Sequence, residues 1–214
     1  ITERYRSIAI SLVLAGGVFS GFAGAGLAIW GENMVPRDWY AGDVDRFGGT
    51  FLFLVGTALV AAITLIFLRI PNLTKAQLEG EQRSMLEIMK QPVFIAAAVS
   101  ATVAQCVMNF LMTATPIAMI SICGHSFGAT AGVIAWHTFA MFAPGVFTGF
   151  LVRKFGAVTI ILIGLLLEAA CIGVALSGVK VIDFWLSMFL LGIGWNFTFT
   201  AATSLMTTAY TPAE

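Results

Sequence analysis

Apolar residues fall into six long runs along this 214-residue chain, separated by short polar stretches. The runs cover 8–30, 50–68, 93–112, 127–152, 157–177 and 184–210. None alternates with the period of two that a barrel strand needs, and each is long enough for a helix to cross a bilayer. In hydrocarbon every backbone N–H and C=O has to be satisfied within its own segment, so the expected element is the α-helix. The third run leads on to Pro116, where the missing N–H predicts a kink or break near the helix end. Between the second and third runs, 75–90 mixes charges with Leu78, Met85, Leu86 and Met89. That pattern predicts a short amphipathic helix along the membrane surface. The pattern as a whole predicts an all-α, polytopic membrane helix bundle.

Composition agrees with lipid as the solvent. Hydrophobic residues make up 59% of the chain and charged residues 10%, with a mean hydropathy of +0.94. A soluble domain carries about 25% charged residues. Lys and Arg together number 11, as do Asp and Glu, so no net charge draws the chain to nucleic acid. The basic residues are nevertheless sorted. Arg4, Arg6, Arg69, Lys75, Arg83, Lys90, Arg153 and Lys154 fall on one side of six alternating spans, and Arg37, Arg46 and Lys180 on the other. The positive-inside rule then makes the first side cytoplasmic. The acidic segment 31–47 then faces out. Cys106, Cys123 and Cys171 lie far apart without metal-ligand spacing, so no metal and no cofactor are expected. The chain starts at Ile1 without an initiator Met and stops in Thr211-Pro-Ala-Glu214, as an internal piece would.

Polar side chains inside spans are candidates for function because burying them in lipid is costly. Gln105, Asn109, Met112 and Pro116 share one helical face of the third run. His137, Met141, Pro144 and Thr148 share one on the fourth, and Gly192, Asn196, Phe199 and Thr203 one on the sixth. A central cavity lined by the three stripes would hydrate them. Trp195 adds an aromatic wall of the kind ligand pockets use. Glu168 is a carboxylate well inside a span, and His137 is of the residue type whose ordinary range lies near neutral pH, so both are candidates for carrying a proton. Each of these side chains has a plain alternative in helix packing.

Residues 149–156, Gly-Phe-Leu-Val-Arg-Lys-Phe-Gly, form a tight basic turn between two spans. They resemble the loop signature of the major facilitator superfamily, with Gly149, Leu151, Lys154 and Gly156 matching. Arg153 stands where that family has Asp, and Ala157 and Val158 replace its basic pair. Gly17, Gly21 and Gly24 form a small-residue stripe on the first span. That run resembles the family's fifth-helix motif associated with exporters, with Phe22 in place of its proline. Further runs are similar to a bacterial branch of the family: 112–119, Gly124-His125, Trp136-His137, 141–144 and 192–197.

The resemblance implies a twelve-helix transporter, of which 1–68 are the last two helices of the N-terminal bundle. Residues 69–91 are then the central cytoplasmic loop and 92–214 the first four helices of the C-terminal bundle. It implies a secondary transporter working by alternating access, with a proton as coupling ion and a small organic solute as cargo. Cytoplasmic gating would fall to Gly149, Arg153, Lys154 and Gly156. Solute contact would fall to Gln105, Asn109, Met112, Trp136, His137, Trp195 and Asn196. Met- and Phe-rich faces favour an amphipathic cargo over a sugar, and the direction of transport stays open. A complete six-span channel or structural subunit is the alternative, although no selectivity-filter sequence is present. An intramembrane serine protease, which would need a nucleophilic Ser in a Gly-x-Ser motif facing a His from another span, is a further and poorer alternative.

Overall fold

A computed structural model describes residues 3–31, 34, 48–68 and 83–211, with side chains from Gly16 onward in the first segment. Arg37, Arg46, Arg69 and Lys75, the side chains of Arg4 and Arg6, and the amphipathic segment before Arg83 lie outside the described residues. Eight α-helices follow in order: α1 Glu3–Gly31, α2 Gly48–Ile66, α3 Met85–Met89, α4 Pro92–Ile117, α5 Phe127–Phe142, α6 Gly145–Phe155, α7 Ala157–Ala175 and α8 Val181–Met206. Among the described residues there is no strand.

Each helix boundary has a local cause. Ser84 accepts from the Glu87 N–H at 3.3 Å while Glu87 accepts from the Ser84 N–H at 2.9 Å, a capping box that starts α3. Pro92 opens α4, where its missing N–H costs nothing. Ser126 caps α5 by accepting from the Ala129 N–H at 3.2 Å. Gly156, at φ +84°, makes the turn between α6 and α7 that a side chain would strain.

The helix does not stop at Pro116. It continues into one π turn, Ala118–Ile122, closed by Cys123 N–H donating to the Ala118 carbonyl at 2.9 Å. In lipid an open break would leave backbone groups unpaired, so the chain widens the turn instead of ending it. The fourth run, by contrast, is two helices. Pro144 interrupts the ladder, and α5 and α6 meet at a 41° bend.

Four stretches are long and apolar enough to cross a membrane: α2, Pro92–Ile122, α7 and α8; the bent α5–α6 pair makes a fifth. The 29 residues of α1 reach ~43 Å as a helix. The ends alternate as antiparallel spans require. At one end Arg83 Nη2 and Gln91 Nε2 both donate to the Ala209 carbonyl, at 3.1 and 2.9 Å. At the other, a His125 ring nitrogen lies 2.8 Å from the Val179 carbonyl. In α3, Ile88 is buried while Met85, Leu86 and Met89 are exposed.

The bundle is built around α8, which packs against α4, α5, α6 and α7, while α1 lies on α5. One core cluster joins Met119, Val133, Cys171, Met188 and Leu191, and a second joins Ile160, Ile161, Ala201 and Ala202. Small residues set the closeness of these crossings. A Cβ on Gly194 would meet the Gly164 carbonyl at 2.9 Å and the Glu168 N at 3.0 Å, and one on Gly192 would meet the His137 carbonyl at 2.7 Å. On α1, Gly17 lies against the Phe142 ring and Gly21 against Thr138. Gly24 and Gly149 have nothing within reach of a Cβ, so the close approach expected of the stripe at Gly24 is made by none of the described helices. Outside a stacked Trp30–Phe53 pair (5.5 Å) and the Gly31–Gly49 contact, α2 exposes an apolar surface nearly all round.

A methyl at Gly194 would press on the Gly164 carbonyl, the Glu168 N and the buried Glu168 Cγ, two of them backbone. Gly194→Ala is expected to cost about 1–3 kcal/mol and to lower the melting temperature in detergent, whereas Gly24→Ala leaves it unchanged. Equal melting temperatures for the two variants would mean that α7 and α8 do not pack as described.

Candidate functional site

Consecutive residues of a helix point about 100° apart, and the middle of α8 uses this to address three neighbours in one turn. Gly194 faces α7, Trp195 faces α4 and Asn196 faces the α5–α6 bend. Each contact has its own chemistry.

Asn196 is buried, and both ends of its amide are engaged. Its Nδ2 donates to the Met141 carbonyl at 2.6 Å, and its Oδ1 accepts from Thr148 Oγ1 at 2.7 Å. Thr148 also lies 2.9 Å from the Pro144 carbonyl. One side chain of α8 therefore holds the helix on both sides of the proline break. His137, fully buried, places Nδ1 2.7 Å from the Met188 carbonyl. A carbonyl only accepts, so Nδ1 carries the hydrogen and Nε2 offers a lone pair. That Nε2 has no partner among the described residues. The stripes of the fourth and sixth runs thus face each other and satisfy each other, rather than lining an open cavity. His137 and Asn196 are away from any surface a solute would reach in this conformation.

The stripe on α4 is different. Gln105 is half-buried and Asn109 exposed. Trp195 Nε1 donates to Gln105 Oε1 at 3.0 Å, and Gln105 Nε2 donates to Asn109 Oδ1 at 3.2 Å. Trp195 stacks on Phe199, rings 5.0 Å apart and 12° from parallel. Met112, on the same stripe, turns inward against the first core cluster.

Trp136 belongs to a separate aromatic group. Its ring is 5.5 Å from Phe22 of α1, 5.3 Å from Phe139 and 5.9 Å from Trp185 of α8, and Trp185 stacks on Phe189 at 5.0 Å. Trp136 and Phe22 remain about 40% exposed (40% and 42%), so the group presents open ring surface across three helices. The reading of polar stripes passed over Phe139, Trp185 and Phe189. Their signal was present as aromatic spacings of three and four residues on α5 and α8.

Glu168 is buried against Gly194 and close to Cys171, with Oε1 lacking a partner among the described residues. Arg153 and Lys154 are exposed at the end of α6, where Lys154 Nζ lies 5.1 Å from the Phe155 ring centre. Among the described residues no His, Cys, Asp and Glu cluster has metal-binding geometry.

The family model of the Major Facilitator Superfamily matches residues 1–214. The chain is similar to the riboflavin transporter RfnT of Brucella anthropi, at 39% identity over 100% of this chain and 52% of that protein. It is also similar to two uncharacterized MFS-type transporters of Bacillus subtilis. YddS is 31% identical and YdeG 27%, each over 95% of this chain and 49% of the relative. The chain spans about half the length of the curated relatives it matches. No solved structure matches.

The two polar groups on α8 and α4 separate in a stability measurement. Asn196→Ala leaves the buried Met141 carbonyl without this donor, and is expected to cost about 1–3 kcal/mol. Asn109→Ala, on an exposed face, is expected to leave the melting temperature in detergent within error. An Asn196→Ala protein as stable as its parent would show that the bend is held by something else.

Proposed function

The chain belongs to the major facilitator superfamily, and on that premise we propose that it is part of a secondary transporter that moves a small, flat organic solute across the cell membrane. The observation that carries the reading is the Trp195–Gln105–Asn109 network on the partly open face between α4 and α8. Polar side chains at this depth are costly in lipid, and a hydrated solute path is what makes them tolerable. The stacked Trp195–Phe199 pair supplies ring surface beside them, and the Phe22–Trp136–Trp185 group supplies more. Flat aromatic cargo fits such walls, and similarity to a riboflavin transporter makes a flavin the first solute to try.

In this reading residues 1–68 are the last two helices of one bundle, 69–91 a cytoplasmic connection, and 92–214 the first four helices of the other. The glycine contacts of α1 on α5 are then a surface along which the bundles rock, exposing the site to each side in turn. Arg83, Lys90, Arg153 and Lys154 lie on the cytoplasmic side, and the turn at Gly156 takes part in gating there. Glu168 and His137 are the groups proposed to couple transport to protons. Each keeps one buried atom without a partner among the described residues, and each is able to hold or release a proton.

The test is riboflavin flux into liposomes carrying the whole transporter, with and without an imposed proton gradient. The gradient is expected to drive accumulation, Trp195→Ala to reduce it about tenfold, and Glu168→Gln to abolish accumulation while leaving equilibration. Absence of flux with the unaltered protein removes the flavin assignment. Full accumulation in the Glu168→Gln protein removes Glu168 from the coupling.

A further inference from the structure

We propose that the Trp195–Gln105–Asn109 chain is a one-directional hydrogen-bond relay that gives the α4–α8 face a donor edge, selecting cargo that brings a carbonyl oxygen or ring-nitrogen acceptor beside its flat ring. The inference rests on the cargo reading above and specifies the chemistry by which cargo is chosen.

An isolated side-chain amide can present either its oxygen or its nitrogen, and the two are hard to tell apart by shape. Here the choice is forced. An indole N–H donates and never accepts. Trp195 Nε1, 3.0 Å from Gln105, therefore fixes the oxygen of that amide toward the indole. The nitrogen of Gln105 is left facing Asn109 and donates to its oxygen at 3.2 Å. This in turn directs the Asn109 nitrogen away from Gln105. Thr113 donates to the Asn109 backbone carbonyl at 2.9 Å, which leaves the side-chain amide alone. Among the described residues nothing accepts from Asn109 Nδ2. The relay starts on half-buried Trp195, passes through half-buried Gln105 and ends on exposed Asn109. Its free end is an N–H pair, with a further N–H on Gln105 beside it.

A donor edge discriminates in a way an apolar wall does not, because cargo without an acceptor leaves the donor unpaired when it seals the site. The Trp195–Phe199 stack runs along the same helix. Ring stacking and acceptor recognition thus come from one corner of the bundle. An isoalloxazine ring, with carbonyl oxygens at C2 and C4 and acceptor nitrogens N1 and N5 beside them, offers acceptors of the matching chemistry.

The experiment uses the whole transporter purified in detergent and measures binding of riboflavin and its 2-thio and 4-thio analogues by titration calorimetry. Sulfur keeps the shape of the ring edge and accepts hydrogen bonds poorly. The unaltered protein is expected to bind riboflavin roughly fivefold more tightly than at least one thio analogue. Asn109→Ala should bring that ratio close to one. Gln105→Glu should erase or reverse it, because a carboxylate accepts from Trp195 and Asn109 together and turns the Asn109 oxygen outward. Trp195→Phe keeps the ring and frees the relay, so the ratio should fall while stacking persists. This variant and the exposed Asn109→Ala guard against misfolding as an explanation, with monodisperse elution as the check. A ratio near one in the unaltered protein, or one that none of the three variants moves, overturns the relay and leaves the flavin reading standing. An unaltered protein that binds no riboflavin overturns both.

Discussion

Everything in this bundle depends on how closely other helices approach α8. That approach is possible because α8 presents glycine where backbone must meet backbone. Gly194 lies against Gly164 and the Glu168 N of α7, and Gly192 against the His137 carbonyl of α5. In lipid there is no hydrophobic drive to pull helices together, so close packing and a few interhelical hydrogen bonds have to do it. Once α7 and α5 are seated, the residues between and beside those glycines have their neighbours decided. Trp195 can only look toward α4, and Asn196 only toward the bend.

The polar side chains divide according to which of these directions they occupy. Those facing α5 and α6 are buried and used up: Asn196 holds the Met141 carbonyl and accepts from Thr148, and His137 donates to the Met188 carbonyl. Those facing α4 form a chain that stops at an exposed amide. The same residue type, asparagine, therefore serves as a structural clamp at 196 and as an open end at 109. Nothing in its chemistry distinguishes the two. The difference is whether another helix lies in front of it.

The α5–α6 bend shows how a broken helix survives in a membrane. Pro144 interrupts the ladder, and Asn196 spans the break, donating to the Met141 carbonyl before it and accepting from Thr148 after it. Pro116 is followed instead by a π turn, with neighbouring Thr115 donating to Met188 Sδ of α8 at 3.3 Å. Two prolines thus give a 41° bend in one span and a continuous helix in the other. The bend coincides with a neighbour able to accept it.

Much of the fold was legible in the chain. Lipid leaves a helix as the only way to satisfy the backbone of an isolated apolar run, so run length and composition determined where the helices lie, though the third run continues to Ile122 and the fourth is two helices. The sorting of basic residues set an expected direction for them. Family membership was carried by local motifs such as 149–156, which depend on neighbours in sequence alone. The candidate site was legible only as a set of residue types. Periodicity placed Gln105 and Asn109 on one face of α4, and His137 and Asn196 each on a face of its own helix. It could not say which faces would meet. That depends on the rotation of each helix about its axis, which is fixed by contacts between residues as far apart in sequence as Gly21 and Thr138 or Gly164 and Gly194. The sequence by itself determined that this is a helical membrane bundle and which side chains were available to serve it. Only the tertiary structure decided that the stripes of the fourth and sixth runs would pair with each other and that of the third would stay open. The reason is that helical periodicity repeats along one axis, whereas a site is made where several axes cross.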